Sequence, residues 1–244
     1  MTAVAPHVEL RGLTRRFGAR VAVDRLDLAV GRGELFGVVG PDGAGKTTLL
    51  RMLAGVLRPT AGDARVDGVS VVERPEQVKR AIAYMSQRFG LYADLTVSEN
   101  IAFYADLYEV PRSERPARLE RLYAFSGLGP FRQRLAGALS GGMKQKLSLC
   151  AALIHHPPLL LLDEPTFGVD PISRRDLWLI IHGMVAAGTT VIASTAYLDE
   201  AERCDRVLLL HEGRALGLDT PAALQQGRPL ETVFIERVEA AAHG

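Results

Sequence analysis

At 244 residues and 48% hydrophobic content, the sequence has the apolar mass for a sizeable core and the length of one α/β domain with room for an inserted lobe. Its 29 Lys and Arg against 28 Asp and Glu nearly cancel, which argues against a nucleic-acid partner and against direct attraction to an anionic membrane surface. The densest apolar stretches, 147–154 and 159–162, are too short to span a bilayer and residues 1–11 carry no leader-like apolar run, so the expectation is a cytosolic chain whose membrane link runs through a protein partner.

In chain order, residues 7–17, 20–30 and 34–40 read as short strands separated by Phe17-Gly18 and Gly31-Arg32-Gly33, a sheet edge leading into a central strand. After Gly45 the spacing turns helical, with Leu49, Leu50, Leu53 and Leu57 on one stripe until Pro59 and Gly62. Residues 78–156 are mostly helical in period and broken by Pro111, Pro116, Gly127, Gly129 and Pro130. That predicts a helical lobe over 88–156, inserted between two parts of an α/β core, 1–87 and 157–220. The unbroken run Leu159, Leu160, Leu161, Leu162 before Asp163 suits a parallel strand buried on both faces. A helix over 173–187, a strand over 190–195, a helix over 197–204 and a hairpin over 207–219 continue an alternation that calls for crossover helices on a parallel sheet. A tail helix is predicted within 221–244, with Val233, Phe234 and Val238 on its apolar stripe. Cys150 and Cys204 lack metal-ligand spacing and read as buried, reduced thiols.

Gly40-Pro41-Asp42-Gly43-Ala44-Gly45-Lys46-Thr47 fits GxxxxGK[ST] between a predicted strand and a predicted helix. Glycines at these places let backbone amides close around phosphate oxygens, and the helix N-terminus adds positive potential. Lys46 can reach the β- and γ-phosphates, and Thr47, followed by Thr48, can ligate Mg²⁺. This points to a nucleoside triphosphate without saying which machine uses it. Asp163, at the end of the apolar run, can hold the magnesium shell, and Glu164 beside it can polarise a water in line with the γ-phosphate. Two acids ending a strand also suit a solvated turn.

Leu139-Ser140-Gly141-Gly142-Met143-Lys144-Gln145 stands shortly before that strand and resembles the LSGGQ-type signature of ABC ATPases. Ser140 and the amides of Gly141 and Gly142 at a helix start make a second anion-binding nest, though a plain Ser N-cap is the simpler reading. The resemblance covers essentially the whole chain. It implies a P-loop NTPase α/β fold: a mixed central sheet flanked by helices, an N-terminal antiparallel β-subdomain and an inserted α-helical subdomain. It implies ATP and Mg²⁺ as ligands, with Phe17 stacking on adenine, Gln87 sensing magnesium and γ-phosphate, and Asp170 in the loop Phe167-Gly168-Val169-Asp170, where the commoner form is SGLD. Without the resemblance, Phe17 reads as core. Two such domains in the family close head to tail, each ATP held between the phosphate loop of one and the signature of the other.

Where the family places a switch histidine after the last strand residue Thr195, this sequence has Ala196. Losing one preorganised donor slows chemistry by roughly 10²–10³-fold. The expectation is a chain that binds Mg-ATP but hydrolyses it slowly, lending its signature to a complete site on a non-identical partner domain that retains the histidine, with a homodimer as the other arrangement. His155, His156, His182 and His211 fall outside that position and read as structural or surface residues. The run 142–178 resembles ABC-2 type exporters of the multidrug-efflux kind, which implies an integral-membrane permease subunit as partner. Residues 88–95 would then meet its coupling helix, with burial of the aromatics as the competing reading. A soluble ABC ATPase acting on nucleic acid, and a nucleotide-gated module without hydrolysis, are the alternatives; the neutral charge disfavours the first.

Overall fold

The structure, a computed structural model, describes residues 5–87 and 90–242. In chain order it begins with the antiparallel pair β1 (Val8–Phe17) and β2 (Arg20–Val30), then β3 (Leu35–Val39) and α1 (Lys46–Leu53). Next come β4 (Ala61–Val66), β5 (Val69–Ser70), α2 (Pro75–Ala81) and β6 (Ile82–Met85). The helical region holds α3 (Val97–Leu107), α4 (Arg115–Ser126) and α5 (Gly141–Leu153). It is followed by β7 (Leu159–Asp163), α6 (Pro171–Ala186), β8 (Thr190–Thr195) and the single turn α7 (Leu198–Ala201). The hairpin β9 (Arg206–His211) and β10 (Arg214–Asp219) leads into α8 (Pro221–Gln225) and α9 (Leu230–Ala242).

Two sheets result. One is antiparallel with strand order β2-β1-β4-β5; the other runs β10-β9-β3-β8-β7-β6, with every pairing parallel except β9 with β10. The leucine run in β7 shows why it had to be continuous: Leu160 and Leu162 enter the core beneath the helical lobe, whereas Leu159 and Leu161 enter the core shared with α1 and the antiparallel sheet. Burying both faces of a strand leaves no place for a polar residue. Because β3, β7 and β8 are parallel and in register, Val39 lies opposite Thr195 and Asp163 opposite Ser194, so three chain segments leave the sheet along one edge. Ligand sites of open α/β sheets form at such carboxyl-terminal edges.

Several elements differ from the sequence expectation. The first two strands do not edge the central sheet; β4 and β5, which the sequence reading passed over, join them in a sheet of their own. Residues 78–156 are not helical throughout, because β6 pairs with β7 at the sheet edge. α6 begins at Pro171, since Asp170 caps it and proline suits the first helical position. The predicted helix over 197–204 shrinks to α7. The tail is two helices, broken where Gln226 and Gly227 both take positive φ ahead of Pro229. Residues 243–244 of that expectation lie outside the described residues.

Candidate functional site

The loop between β3 and α1 has a backbone that only glycine can build. Gly45 has φ of 110°, and a Cβ there would stand 2.3 Å from the Ala22 carbonyl oxygen; one on Gly40 would stand 2.0 Å from that of Leu210. The loop therefore lies flat against β2 and β9. Lys46, the first residue of α1, is 4% exposed, and its Nζ donates to the carbonyls of Gly40 at 2.8 Å and Pro41 at 3.0 Å. The same Nζ lies 3.0 Å from Glu164 Oε1.

Opposite the loop, Asp163 is buried at the end of β7. Its Oδ1 accepts from Thr47 Oγ1 and Ser194 Oγ, both at 2.9 Å, and its Oδ2 from the Tyr84 hydroxyl at 3.1 Å. Burial, and then the Asp163 charge beside it, push the Tyr84 phenol up to about 12, which keeps it a donor at neutral pH. Glu164 follows with φ of 50°, its amide donating to Ser194 Oγ at 3.0 Å and its Oε2 accepting from Gln87 Nε2 at 2.9 Å. A non-glycine residue in this region is held there by its surroundings, here Ser194, Lys46 and Gln87.

These groups border a cleft of about 510 Å³ that brings together Phe17, Asp42, Gly43, Gly45, Lys46, Thr47, Thr48, Gln87 and Glu164. Phe17 is 47% exposed at its rim, with the Arg15 guanidinium 4.4 Å from the ring centroid. Buried Ala44, with buried Gly40, forms the loop's inner side, and Pro41 is exposed. Sequence reasoning missed Arg20, Ala22 and Phe167 in the lining, and Tyr84 and Ser194 behind Asp163. Arg20 extends a guanidinium nitrogen to 3.4 Å from the Gly43 carbonyl. Phe167, where the commoner family form has Ser, is largely exposed at the cleft.

Ser140, Gly141, Gly142 and Asp170 do not line this cleft. Ser140 caps α5, accepting from the Met143 amide at 3.3 Å, and Asp170 caps α6 through the amides of Ile172 and Ser173. These bonds hold the Asp170 carboxyl below the usual range, the Ser173 amide contributing most. The two caps meet: a Cβ on Gly142 would stand 2.4 Å from the Ser173 side chain. Ser140 and Gly141 remain exposed. Ala196 follows β8 at the strand-end edge, half-buried. Of residues 88–95, Arg88 and Phe89 lie outside the described residues. Tyr92 packs edge-on against Phe103 at 4.7 Å and both rings are exposed, while Leu91 packs on the core. The histidines behave as expected: His155 stacks on Tyr108 at 3.8 Å and His182 packs near Trp178.

A family model described as ABC transporter matches residues 23–167, from β2 through the cleft's far wall. The chain belongs to the ABC transporter family. It is 51% identical over 221 residues to the probable multidrug ABC transporter ATP-binding protein YbhF of Escherichia coli (strain K12), which takes in 90% of this chain and 38% of that protein. It is 41% identical over 219 residues to the daunorubicin/doxorubicin resistance ATP-binding protein DrrA of Streptomyces peucetius, covering 89% of this chain and 66% of that one. The chain thus spans less than two fifths of the first relative's length and under two thirds of the second's. A solved structure of an ATP-binding subunit of an ABC transporter matches with a TM-score of 0.85 at 29% identity, over 95% of this chain and 99% of that one. The fold of this ABC-family chain is the P-loop NTPase fold expected, with its antiparallel β-subdomain and helical insertion. Membership implies nucleotide binding.

Proposed function

We propose that this chain is the ATP-binding and ATP-hydrolysing domain of an ABC-2 type exporter, working by ATP-dependent closure of two nucleotide-binding domains. The observation that carries this reading is the convergence of Lys46, Thr47, Gln87 and Glu164 on one cleft, with Asp163 bonded to Thr47 behind it and a loop that requires glycine at 40 and 45. The names of the relatives, a probable multidrug transporter protein and a drug-resistance protein, support export.

The oxygens of Thr47 and Asp163 suit magnesium, which takes one or two protein ligands and fills its octahedron with phosphate and water oxygens. Among the described residues no group of three or more His, Cys, Asp or Glu gathers, the donor set a zinc site would ask for. When bound, magnesium would supply positive charge to phosphate oxygens. Gln87 would report on it from Glu164. Lys46 turning towards a phosphate would release Glu164 Oε1 to take the proton of the attacking water. Phe17 would stack on the adenine. Ser140, Gly141 and Gly142, outside their own chain's cleft, would close over the phosphates of a second domain, with Asp170 at the same contact. ATP then stabilises the closed pair because it touches both domains only there.

Ala196 supports slow hydrolysis at this chain's own site and favours a non-identical partner domain that has histidine at that position. Tyr92 and Phe103 offer the exposed aromatic surface proposed for an integral-membrane permease subunit. Among the described residues no helix is long and apolar enough to cross a membrane. On this reading the domain works at the cytoplasmic face, held there by the permease. Calorimetric titration of the protein with ATP, with and without magnesium, tests the core of the proposal. Saturable, magnesium-dependent uptake that Lys46→Ala abolishes is expected; no uptake by folded protein overturns it.

A further inference from the structure

Glu200 in α7 is completely buried, yet it lies outside the cleft and in none of the roles above. Its Oε1 accepts from Arg174 Nε at 2.7 Å and Trp178 Nε1 at 3.0 Å, both on α6. Its Oε2 accepts from Thr195 Oγ1 at 2.6 Å and Thr166 Oγ1 at 3.0 Å. Four donors thus converge on one side-chain carboxyl group, two on each oxygen.

Thr195 and Thr166 belong to segments that adjoin the cleft, and Arg174 and Trp178 stand on α6 beside them. Thr195 ends β8 next to Ala196, and its carbonyl accepts from the Gly40 amide at 3.2 Å, the first residue of the phosphate loop. Its hydroxyl also accepts from the Tyr197 amide at 3.0 Å, so both of its hydrogen-bonding roles are used. Thr166 sits two residues after Glu164, inside a turn closed by the Phe167 amide on the Glu164 carbonyl at 3.1 Å and the Val169 amide on the Thr166 carbonyl at 3.2 Å. That turn presents Phe167 to the cleft. Arg174 stands on the first turns of α6, whose cap is Asp170, and its guanidinium lies 4.7 Å from the Tyr197 ring centroid and pairs with Asp199.

We infer that Glu200 is a positioning residue for hydrolysis: a buried acceptor that fixes the Glu164 turn, the segment at Ala196 and the start of α6 relative to one another. The inference rests on the proposed ATPase activity. Glu200 is not in the lining of the cleft; it acts through Thr195 and Thr166. A reacting group displaced by about 1 Å can lose a hundredfold in rate while its binding contacts persist. The role therefore belongs in kcat and not in ATP affinity. A Gln at 200 would turn an NH₂ towards two of the four donors. The Thr195 hydroxyl, which donates to Glu200, could meet it only by rotating to accept, leaving its own hydrogen without that partner.

The test measures magnesium-ATP affinity, steady-state phosphate release and melting temperature for the unaltered protein, Glu200→Gln, Thr195→Val, Thr166→Val and the Glu200→Gln/Thr195→Val pair. Unaltered protein that binds no Mg-ATP, or binds it and never releases phosphate, removes the ATPase reading itself. Given turnover, the expected result is kcat down about tenfold or more in each single variant, KM and affinity within about twofold, and a double variant no worse than the poorer single one. Should Glu200→Gln fail to fold for want of the charge beside Arg174 Nε, the two valine variants decide, since each removes one strut and leaves the ion pair. Unchanged kcat in folded variants, or kcat and affinity falling together in step with melting temperature, overturns the inference.

Discussion

Lys46 Nζ lies 3.0 Å from Glu164 Oε1, with both side chains buried, so the cation proposed to grip phosphate and the carboxylate proposed to activate water form one electrostatic unit. Glu164→Gln keeps the shape and removes the charge. ATP hydrolysis should fall by about 10²–10⁴-fold, the share a positioned base contributes, while equilibrium binding of Mg-ATP holds within a few-fold. Single-turnover cleavage beside a binding titration separates the two, and undiminished cleavage would remove Glu164 from the chemistry. Lys46→Ala has a different cost. It leaves Glu164 buried without its cation, and a lowered melting temperature should accompany the loss of binding.

Ala196 offers a methyl group where the family's switch histidine would offer a ring nitrogen. It sits half-buried between Thr195, which Glu200 holds, and exposed Tyr197. Ala196→His should accelerate phosphate release by roughly 10²-fold, the effect of restoring one preorganised donor. Equal kcat for the two proteins would show that this site never depended on that donor.

The phosphate loop, the double acid and the capped signature helix were legible in the sequence because each is a local pattern whose spacing dictates its own geometry. Asp163 and Lys46 could be named before any contact was known. Tyr84 and Ser194 could not. They reach Asp163 only through sheet register, Ser194 directly opposite it and Tyr84 opposite Leu161 on the far side of β7. Arg20, at the start of β2, reaches Gly43 from the other sheet, and nothing in its neighbourhood sets it apart from the other arginines of β1 and β2. Glu200 was hidden for the same reason, its four donors coming from segments up to 34 residues away. The short strands β5 and β6 carry too few residues for period-two alternation to show.

Gly142 separates a steric role from an anion-binding one. A Cβ there would stand 2.4 Å from both Cβ and Oγ of Ser173, so α5 and α6 touch through the missing side chain. Gly142→Ala should destabilise the domain by about 1–3 kcal/mol, the range for overpacking, read as a shift in the denaturant midpoint. Ser173→Gly in the same chain should recover part of it. No recovery would mean that the demand for glycine comes from the exposed side, where the second domain is proposed to dock.

His7 makes stability depend on pH. It is buried, with Nδ1 2.6 Å from Thr190 Oγ1 and Nε2 3.5 Å from Asp67 Oδ2, and Asp67 is also paired with Arg32. Burial, the largest influence, lowers the imidazole below its ordinary 6.5; Asp67 opposes this and Arg32 adds to it. The folded state thus prefers neutral His7 while the unfolded chain protonates at its usual value. The unfolded chain binds more protons between those two values, so stability rises with pH across that window. It is fully present above 6.5 and declines as pH falls below 6.5 towards the lowered native value. His155, stacked on Tyr108 and lowered chiefly by burial, acts in the same direction. Melting temperature should therefore fall on moving from about pH 7.5 to about pH 5.5, and His7→Gln should flatten part of that slope, leaving the shares of His155 and of His156, which burial also lowers. A slope unchanged by the substitution would assign the whole pH dependence to other groups.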